Sequence, residues 1–135
     1  MMEKAGLTLR VDLSNGRAVG PGKIQLLEQI HKSGSITQGG RDLGLSYRRA
    51  WLLINDLNNS FRLPVIEAET GGSGGGGTRL TPFGRKLIQL YQTIEAEALA
   101  ATWEHRRELQ AALSTGKHGL RKSINRSLGN AAARR

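Results

Sequence analysis

A pair of short helices separated by a three-residue bend constrains the fold of this chain more than any other feature of the sequence. Ser35 is a favoured N-cap for a helix over residues 36–43, and Gly44 follows with the left-handed preference typical of helix ends. Ser46 can cap a second helix over residues 47–59. Two capped helices at this spacing predict a helix-turn-helix motif.

The residues before this motif predict a small hairpin and one further helix. Apolar residues alternate over 7–13, which is typical of a half-buried strand. Asn15-Gly16 favours the positive φ angles of a tight turn, so residues 17–19 can form the return strand. A proline suits the first turn of a helix over 21–32, in which apolar residues recur at helical spacing.

A second hairpin, with a glycine-rich tip, is predicted after the motif. Residues 65–69 and 78–80 have strand character, and six of the eight residues from 70 to 77 are glycine. Thr81 can then cap a helix over about 82–113, with a proline at its first position. The sequence therefore predicts a mainly α fold with small β-hairpins, namely a winged helix-turn-helix with a long C-terminal dimerisation helix.

The long helix carries an apolar stripe that the small domain before it cannot cover completely. The members of this stripe, spaced by three or four residues, are Phe83, Leu87, Leu90, Ile94 and Ala98. We predict that two copies of the chain pair through this stripe as a homodimer. The alternative is a helix that folds back on its own domain or frays beyond Ala101.

Three segments carry a resemblance to a known family. The segments S-G-S-I-T-Q-G-G-R-D-L-G-L-S-Y-R-R-A-W-L-L-I-N-D-L-N, T-G-G-S-G-G-G-G and L-T-P-F-G-R-K-L-I-Q-L-Y closely resemble the N-terminal domain of the molybdate-responsive ModE-type regulators. More distantly, the same stretch is similar to the winged helix of LysR-type transcription factors. The resemblance runs from about residue 20 to 100. It implies a winged-helix dimer in which the helix after Ser46 enters the major groove of DNA.

The helix after Ser46 has two distinct faces. Its apolar stripe consists of Ala50, Ile54 and Leu57, with Leu53 beside them. Its other face, which presents the candidate base-reading residues, consists of Tyr47, Arg48, Trp51 and Asn55. Arg48 can donate two hydrogen bonds to guanine, and Asn55 can pair with adenine. Trp51 fits this face or the core, whereas Arg49 lies to one side and fits either a DNA contact or a solvated ion pair. Residues at the start of the first helix and on the second hairpin are expected to donate to the DNA backbone or minor groove. The complete predicted DNA-binding set is Ser35, Thr37, Gln38, Ser46, Tyr47, Arg48, Arg49, Trp51, Asn55, Ser73, Thr78 and Arg79.

Charge supports DNA binding only weakly, because most of it lies at one end of the chain. The net charge of the 135 residues is +9, but residues 114–135 contain six basic and no acidic residues. We expect a folded domain over 1–113 and a basic, mobile tail over 114–135. The tail is either a solvated end or a non-specific contact to phosphates.

Composition argues against several other classes of protein. The chain has no cysteine and no apolar run near the ~18 residues of a membrane span, so we expect a cytoplasmic protein without a membrane partner. His31, His105 and His118 are isolated from ligand or nucleophile partners, so we predict no metal site, no evident cofactor and no catalytic activity.

The function predicted from these observations is sequence-specific binding of double-stranded DNA by a transcriptional regulator, most simply a repressor. The family resemblance implies target genes related to molybdate or other metal oxyanions, and it makes molybdate or tungstate the candidate ligand. Only 22 residues follow Leu113, and none resembles the C-terminal oxyanion-binding domain of full-length members, so we expect the usual molybdate or tungstate sensor domain to be absent. The alternatives are a winged-helix module for protein interaction and oligomerisation, and a small oxyanion-binding protein that uses amides at a dimer interface.

Overall fold

The computed structural model describes residues 6–69, 77–114 and 116. Ser73, most of the glycine-rich tip and most of the predicted tail lie outside the described residues. Within the described part, four helices and four short strands follow one another. They are β1 (Val11–Asp12), β2 (Ala18–Val19), α1 (Pro21–Ser33), α2 (Ile36–Asp42), α3 (Tyr47–Ser60), β3 (Ile66–Glu69), β4 (Gly77–Leu80) and α4 (Pro82–Ala111). The predicted fold class, a mainly α winged helix with small β-hairpins, is confirmed.

The two predicted serine caps define the helix-turn-helix. The backbone N–H of Gln38 donates to Ser35 Oγ, and that of Arg49 donates to Ser46 Oγ, both at 3.0 Å. Gly44, in the bend, has a φ of +72°, which is the left-handed conformation expected at this position. Helix α2 ends one residue before the predicted Leu43, and α3 extends one residue beyond the prediction.

The first hairpin is shorter than the alternating pattern over 7–13 predicts. Only Val11 and Asp12 pair with β2, in antiparallel register with Val19 and Ala18. The described residues before Val11, namely 6–10, have no strand opposite them, because the chain leaves the sheet after Val19 and enters α1. The carbonyl of Leu9 instead accepts a hydrogen bond from the Tyr91 hydroxyl of α4 at 2.7 Å.

The core consists of buried residues from β2, from α1, α2 and α3, from the second hairpin and from the first half of α4. Its largest fully buried side chains are Leu26, Leu27, Ile30, Ile54, Leu57, Val65 and Leu80. The predicted inner stripe of α3 is confirmed, because Ala50, Ile54 and Leu57 are all buried and Leu53 packs beside them. The outer face of α3 is consequently left for other contacts.

Two adjacent glycines let α2 pack closely on both sides. A Cβ atom on Gly39 would lie 3.0 Å from Ile30 Cγ1 of α1. A Cβ atom on Gly40 would lie 2.8 Å from the Cβ of Ala50 in α3. The absence of these side chains therefore determines how closely the helices of the motif approach each other.

The second hairpin leads directly into α4. Strands β3 and β4 are antiparallel, with Ile66 opposite Leu80 and Glu67 opposite Arg79. Thr81 Oγ1 accepts from the backbone N–H of Gly84 at 2.9 Å, which confirms Thr81 as the cap of α4. Among the described helices, none combines the length and the hydropathy of a membrane-spanning segment.

The chain divides into two compact units, residues Met1–Thr102 and Trp103–Arg135. The core described above belongs entirely to the first unit. In the second unit, the Arg107 guanidinium lies 5.3 Å from the centroid of the Trp103 ring. The predicted boundary between domain and tail after residue 113 stays a prediction.

Candidate nucleic-acid interface

The outer face of α3 forms an open groove of about 440 Å³. Its lining consists of Tyr47, Arg48, Trp51, Leu52 and Asn55. Four of these residues belong to the predicted base-reading set, and the structure brings them together because they recur every three or four positions of α3. The face combines a guanidinium and a carboxamide, which can form hydrogen bonds, with aromatic and aliphatic surface.

Trp51 lies on the surface and not in the core. Its side chain is 43% exposed, and its ring centroid lies 6.0 Å from that of Tyr47 at an interplanar angle of 59°. The sequence left both locations open for this tryptophan. The inner positions of α3 are already occupied by aliphatic side chains, so the indole is left on the outer face.

A second groove, of about 180 Å³, joins the helix-turn-helix to the second hairpin. It is lined by Gly34, Ser35, Ile36, Thr37, Trp51, Gly77 and Thr78. Trp51 lines both grooves, so the outer face of α3 is continuous with the start of α2 and the root of the hairpin. We call the β3–β4 hairpin the wing. The combined surface, made of the two sets of lining residues, is the helix–wing surface.

A backbone contact fixes the hairpin beside the motif. The N–H of Thr78 donates to the carbonyl oxygen of Gly34 at 2.9 Å. Gly34 has a φ of +72° and ends α1, because its own N–H donates to the carbonyl of Ile30 at 2.7 Å. Gly34 therefore serves as both the end of α1 and the attachment point of β4, which explains why Thr78 lies next to Ser35 and Thr37.

The capping serines retain donors for a partner. The hydroxyl oxygens of Ser35 and Ser46 accept hydrogen bonds from the backbone, so each O–H can still donate outward. Ser35 and the exposed Thr37 also lie at the second groove. Hydroxyl groups and the backbone N–H groups at the start of a helix are common donors to phosphate oxygens.

Other residues of the predicted set lie outside both grooves. The side chain of Gln38 donates to Asp42 within α2 at 2.8 Å. Ser46 and Arg49 are exposed at the start of α3 without lining either groove. Arg79, on β4, pairs with Glu67 on β3, with Nε and Oε1 separated by 3.2 Å.

Asp56 ties α3 to the first hairpin and to α1. Its carboxylate accepts from Lys23 of α1 and from Arg17 after the first turn, and the Lys23 ammonium also donates to the carbonyl of Ala18 at 2.7 Å. The hydrogen bond from Lys23 is the main reason that the pKa of Asp56 lies below its ordinary value, although partial burial acts in the opposite direction. These contacts hold the first hairpin and α1 against α3.

Sequence reasoning missed three contributors to this region. Leu52 lines the α3 groove and is 48% exposed, and its spacing from Arg48 by one helical turn is a signal that was available. The close packing at Gly39 and Gly40 depends on neighbours that are distant in sequence. The pairing of Glu67 with Arg79 depends on strand register, which the glycine-rich segment does not specify.

The five residues of the predicted dimer stripe occupy different environments. Leu87 is buried in the core of its own chain, and Phe83 packs edge-on against Phe61 with ring centroids 5.2 Å apart. Leu90 and Ile94 are 45% and 42% exposed, and Ala98 is half-buried. The first two turns of α4 thus serve the chain's own core, and the exposed part of the stripe begins at Leu90.

Comparisons with known proteins give a consistent set of relatives, although no protein-family model matches the chain. The chain is 43% identical over 91 residues to the DNA-binding transcriptional dual regulator ModE of Escherichia coli (strain K12), covering 67% of this chain and 35% of that protein. It is 44% identical over 81 residues to the molybdenum-pterin-binding protein MopB of Rhodobacter capsulatus, covering 60% of this chain and 30% of that protein. It is 37% identical over 93 residues to the molybdenum transport protein ModE of Azotobacter vinelandii, covering 69% and 34%. The chain spans about a third of the length of these relatives.

Proposed function

We propose that this chain binds double-stranded DNA sequence-specifically and regulates transcription. The single observation that carries the proposal is the continuity of the helix–wing surface, in which Trp51 joins the outer face of α3 to the start of α2 and the root of the wing. A winged helix uses these three parts together, with one helix in the major groove and the others against the backbone. The names of the relatives, which include DNA-binding and transcriptional regulators, support the same function.

Base reading is assigned to the outer face of α3. Arg48 is suited to guanine, because its planar fork of donors matches two acceptors on one base edge. Asn55 is suited to adenine, because its carboxamide both donates and accepts. Tyr47, Trp51 and Leu52 supply apolar surface, which favours contact with thymine methyl groups.

Backbone contacts are assigned to the second groove and its surroundings. Ser35, Thr37 and Thr78 surround a space in which their hydroxyl groups can donate to a phosphate oxygen. Gln38, Ser46 and Arg49 extend this set at the two helix starts, and Arg79 extends it along the wing. Ser73, which lies outside the described residues, is assigned to the set from the sequence alone. Contacts of this kind position the protein without specifying sequence.

A homodimer formed through α4 is part of the proposal. Leu90 and Ile94 expose apolar surface on one helix, and a symmetric pairing of two such helices would cover it. Two copies would read a two-fold-symmetric operator with half-sites at a fixed spacing. Such a dimer, bound across a promoter, would block polymerase sterically, so we assign it repression. The molybdenum proteins among the relatives support target genes related to molybdate.

The described residues offer no buried, unpartnered side-chain donor for molybdate or tungstate. Lys23, a largely buried cation, already donates to Asp56 and to a backbone carbonyl. Within the described part of the chain, no buried side-chain nitrogen or oxygen lacks a hydrogen-bond partner. The proposal therefore contains no step that depends on a bound oxyanion.

Selection of bound fragments from genomic DNA, with and without molybdate or tungstate, tests the proposal. We expect enrichment of one two-fold-symmetric sequence, and reporter transcription from a promoter carrying that sequence should fall when the protein is expressed. If the described residues alone determine DNA binding, the same sequence should be enriched with and without molybdate or tungstate. Recovery of random fragments at every salt concentration would contradict sequence-specific binding.

A further inference from the structure

The wing has an unusual charge for an element that approaches DNA. In the sequence from 65 to 80, the charged residues are Glu67, Glu69 and Arg79, which give a formal charge of −1. Wings that add electrostatic affinity need cations close to phosphates. The single cation of this wing is already engaged by a carboxylate.

The contact between Arg79 and Glu67 follows from strand register. The two residues are direct cross-strand partners in the β3–β4 pair, and Arg79 Nε lies 3.2 Å from Glu67 Oε1. Both side chains remain accessible, with exposures of 59% for Arg79 and 40% for Glu67. An ion pair this exposed is weak, so a phosphate can compete for the guanidinium.

We propose that Glu67 competes with the phosphate backbone for Arg79 and thereby limits the affinity of the wing for DNA. When Arg79 turns to a phosphate, the Glu67 carboxylate loses its partner and stays close to the negative backbone. Both effects oppose binding and neither depends on base sequence. The acidic partner thereby keeps the wing from acting as a sequence-independent electrostatic clamp. This inference rests on the proposed function.

Glu69 provides a matched control on the same strand. It lies two residues from Glu67 and therefore on the same face of β3, and it carries the same charge. Its cross-strand partner is Gly77, which has no side chain, and within the described residues Glu69 makes no ion pair. Replacing either glutamate by glutamine removes one negative charge, but only Glu67→Gln releases Arg79.

The test measures binding of the purified full chain to a random-sequence duplex over a range of salt concentrations. Glu67→Gln is expected to tighten binding roughly two- to five-fold, the range that follows from releasing an exposed ion pair. Its plot of log affinity against log salt should steepen by up to about 0.9, the value for one full phosphate contact, because Arg79 then contacts phosphate without competition from Glu67. Glu69→Gln should tighten binding less and leave the slope unchanged.

A double variant shows whether the effect passes through Arg79. In the Arg79→Gln background, Glu67→Gln should have no larger effect than Glu69→Gln. Equal effects of the two glutamate variants in the native background would overturn the proposal, because only total charge would then matter. Weaker binding by a Glu67→Gln protein with native thermal stability would also overturn it, since Glu67 would then be orienting Arg79 toward phosphate. Failure of the unaltered chain to bind any duplex would instead overturn the proposed function itself.

Discussion

Arg48 and Arg49 are adjacent residues of α3 with the same charge, but only Arg48 lines the α3 groove. Arg48→Ala is expected to weaken binding to the selected operator by about 1 to 3 kcal/mol and to relax the preference at one base position. The physical reason is the loss of two directed hydrogen bonds to one base edge. Titration of operator variants, each changed at a single position, measures both effects.

Arg49→Ala is the matched comparison for this prediction. A phosphate contact carries no base information, so this variant should weaken binding about equally for every sequence. The same pattern in both variants would remove Arg48 from base reading.

Asp56 links charge to stability at a single residue. A carboxyl whose folded pKa is lowered stabilises the fold at pH values above its unfolded pKa, and this stabilisation is lost as the pH falls through the folded pKa. Because about a third of the Asp56 side chain is exposed, its ion pairs are partly screened by solvent. We therefore expect Asp56→Asn to lower the free energy of unfolding by only about 1 to 2 kcal/mol at pH 7. The difference should shrink below about pH 4, and urea denaturation across pH measures it.

Asp42 offers a control for this experiment. It accepts one hydrogen bond from Gln38 on an exposed part of α2. Asp42→Asn should change the free energy of unfolding by less than about 0.5 kcal/mol. A difference between the native chain and Asp56→Asn that stayed constant with pH would contradict the assigned ion pairs.

At the scale of elements, the close packing of α2 against α3 depends on Gly40. Alanine at this position gains helix propensity, but its Cβ would lie 2.8 Å from the Cβ of Ala50. Overpacking of this kind outweighs the gain, so Gly40→Ala is expected to lower stability by about 1 to 3 kcal/mol. Thermal unfolding followed by circular dichroism measures the change.

Gly22 in α1 shows what the same substitution does without a neighbour. No atom lies within 4 Å of the position of its missing Cβ, so Gly22→Ala should raise stability by about 0.5 to 1 kcal/mol. Adding Ala50→Gly to Gly40→Ala should recover part of the lost stability by removing the opposing methyl group. Stabilisation by Gly40→Ala alone would show that the helices are further apart than described.

At the scale of the whole molecule, the oligomeric state tests the proposed role of α4. The double variant Leu90→Glu and Ile94→Glu is expected to convert a dimer to a monomer, because it places charge on the exposed part of the predicted stripe. Both side chains are more than 40% exposed within the chain, so its core should stay folded. Sedimentation at micromolar concentration, with unfolding curves for each variant, measures both outcomes.

Leu63 gives a control of the same chemical kind. It is 56% exposed between α3 and β3, so Leu63→Glu also replaces an exposed leucine with an acid but leaves α4 unchanged. This variant should remain a dimer. A monomeric native chain would contradict pairing through α4, as would a dimer that survives the double variant.

The sequence alone determined those features that depend on neighbours along the chain. Ser35, Ser46 and Thr81 were predicted as helix caps because a capping side chain bonds to an N–H two or three residues later. The inner stripe of α3 was predicted because helical periodicity places Ala50 and Ile54 on one face. The order of elements follows from such local signals, which is why the fold class was predictable.

Only the tertiary structure decided which of the predicted residues face outward and which meet. The same apolar periodicity includes Leu87 and Leu90, but the chain's own core covers Leu87 and leaves Leu90 exposed. For Trp51 the sequence left a core position and a surface position open. The structure places it on the surface, because aliphatic side chains occupy the inner positions of α3. The contact between Glu67 and Arg79 required a strand register that no local signal encodes, since the residues between them are mostly glycine. Distances between residues far apart in sequence depend on how whole elements pack. The residues of the candidate interface come from separate elements, so their arrangement could not be read from local signals.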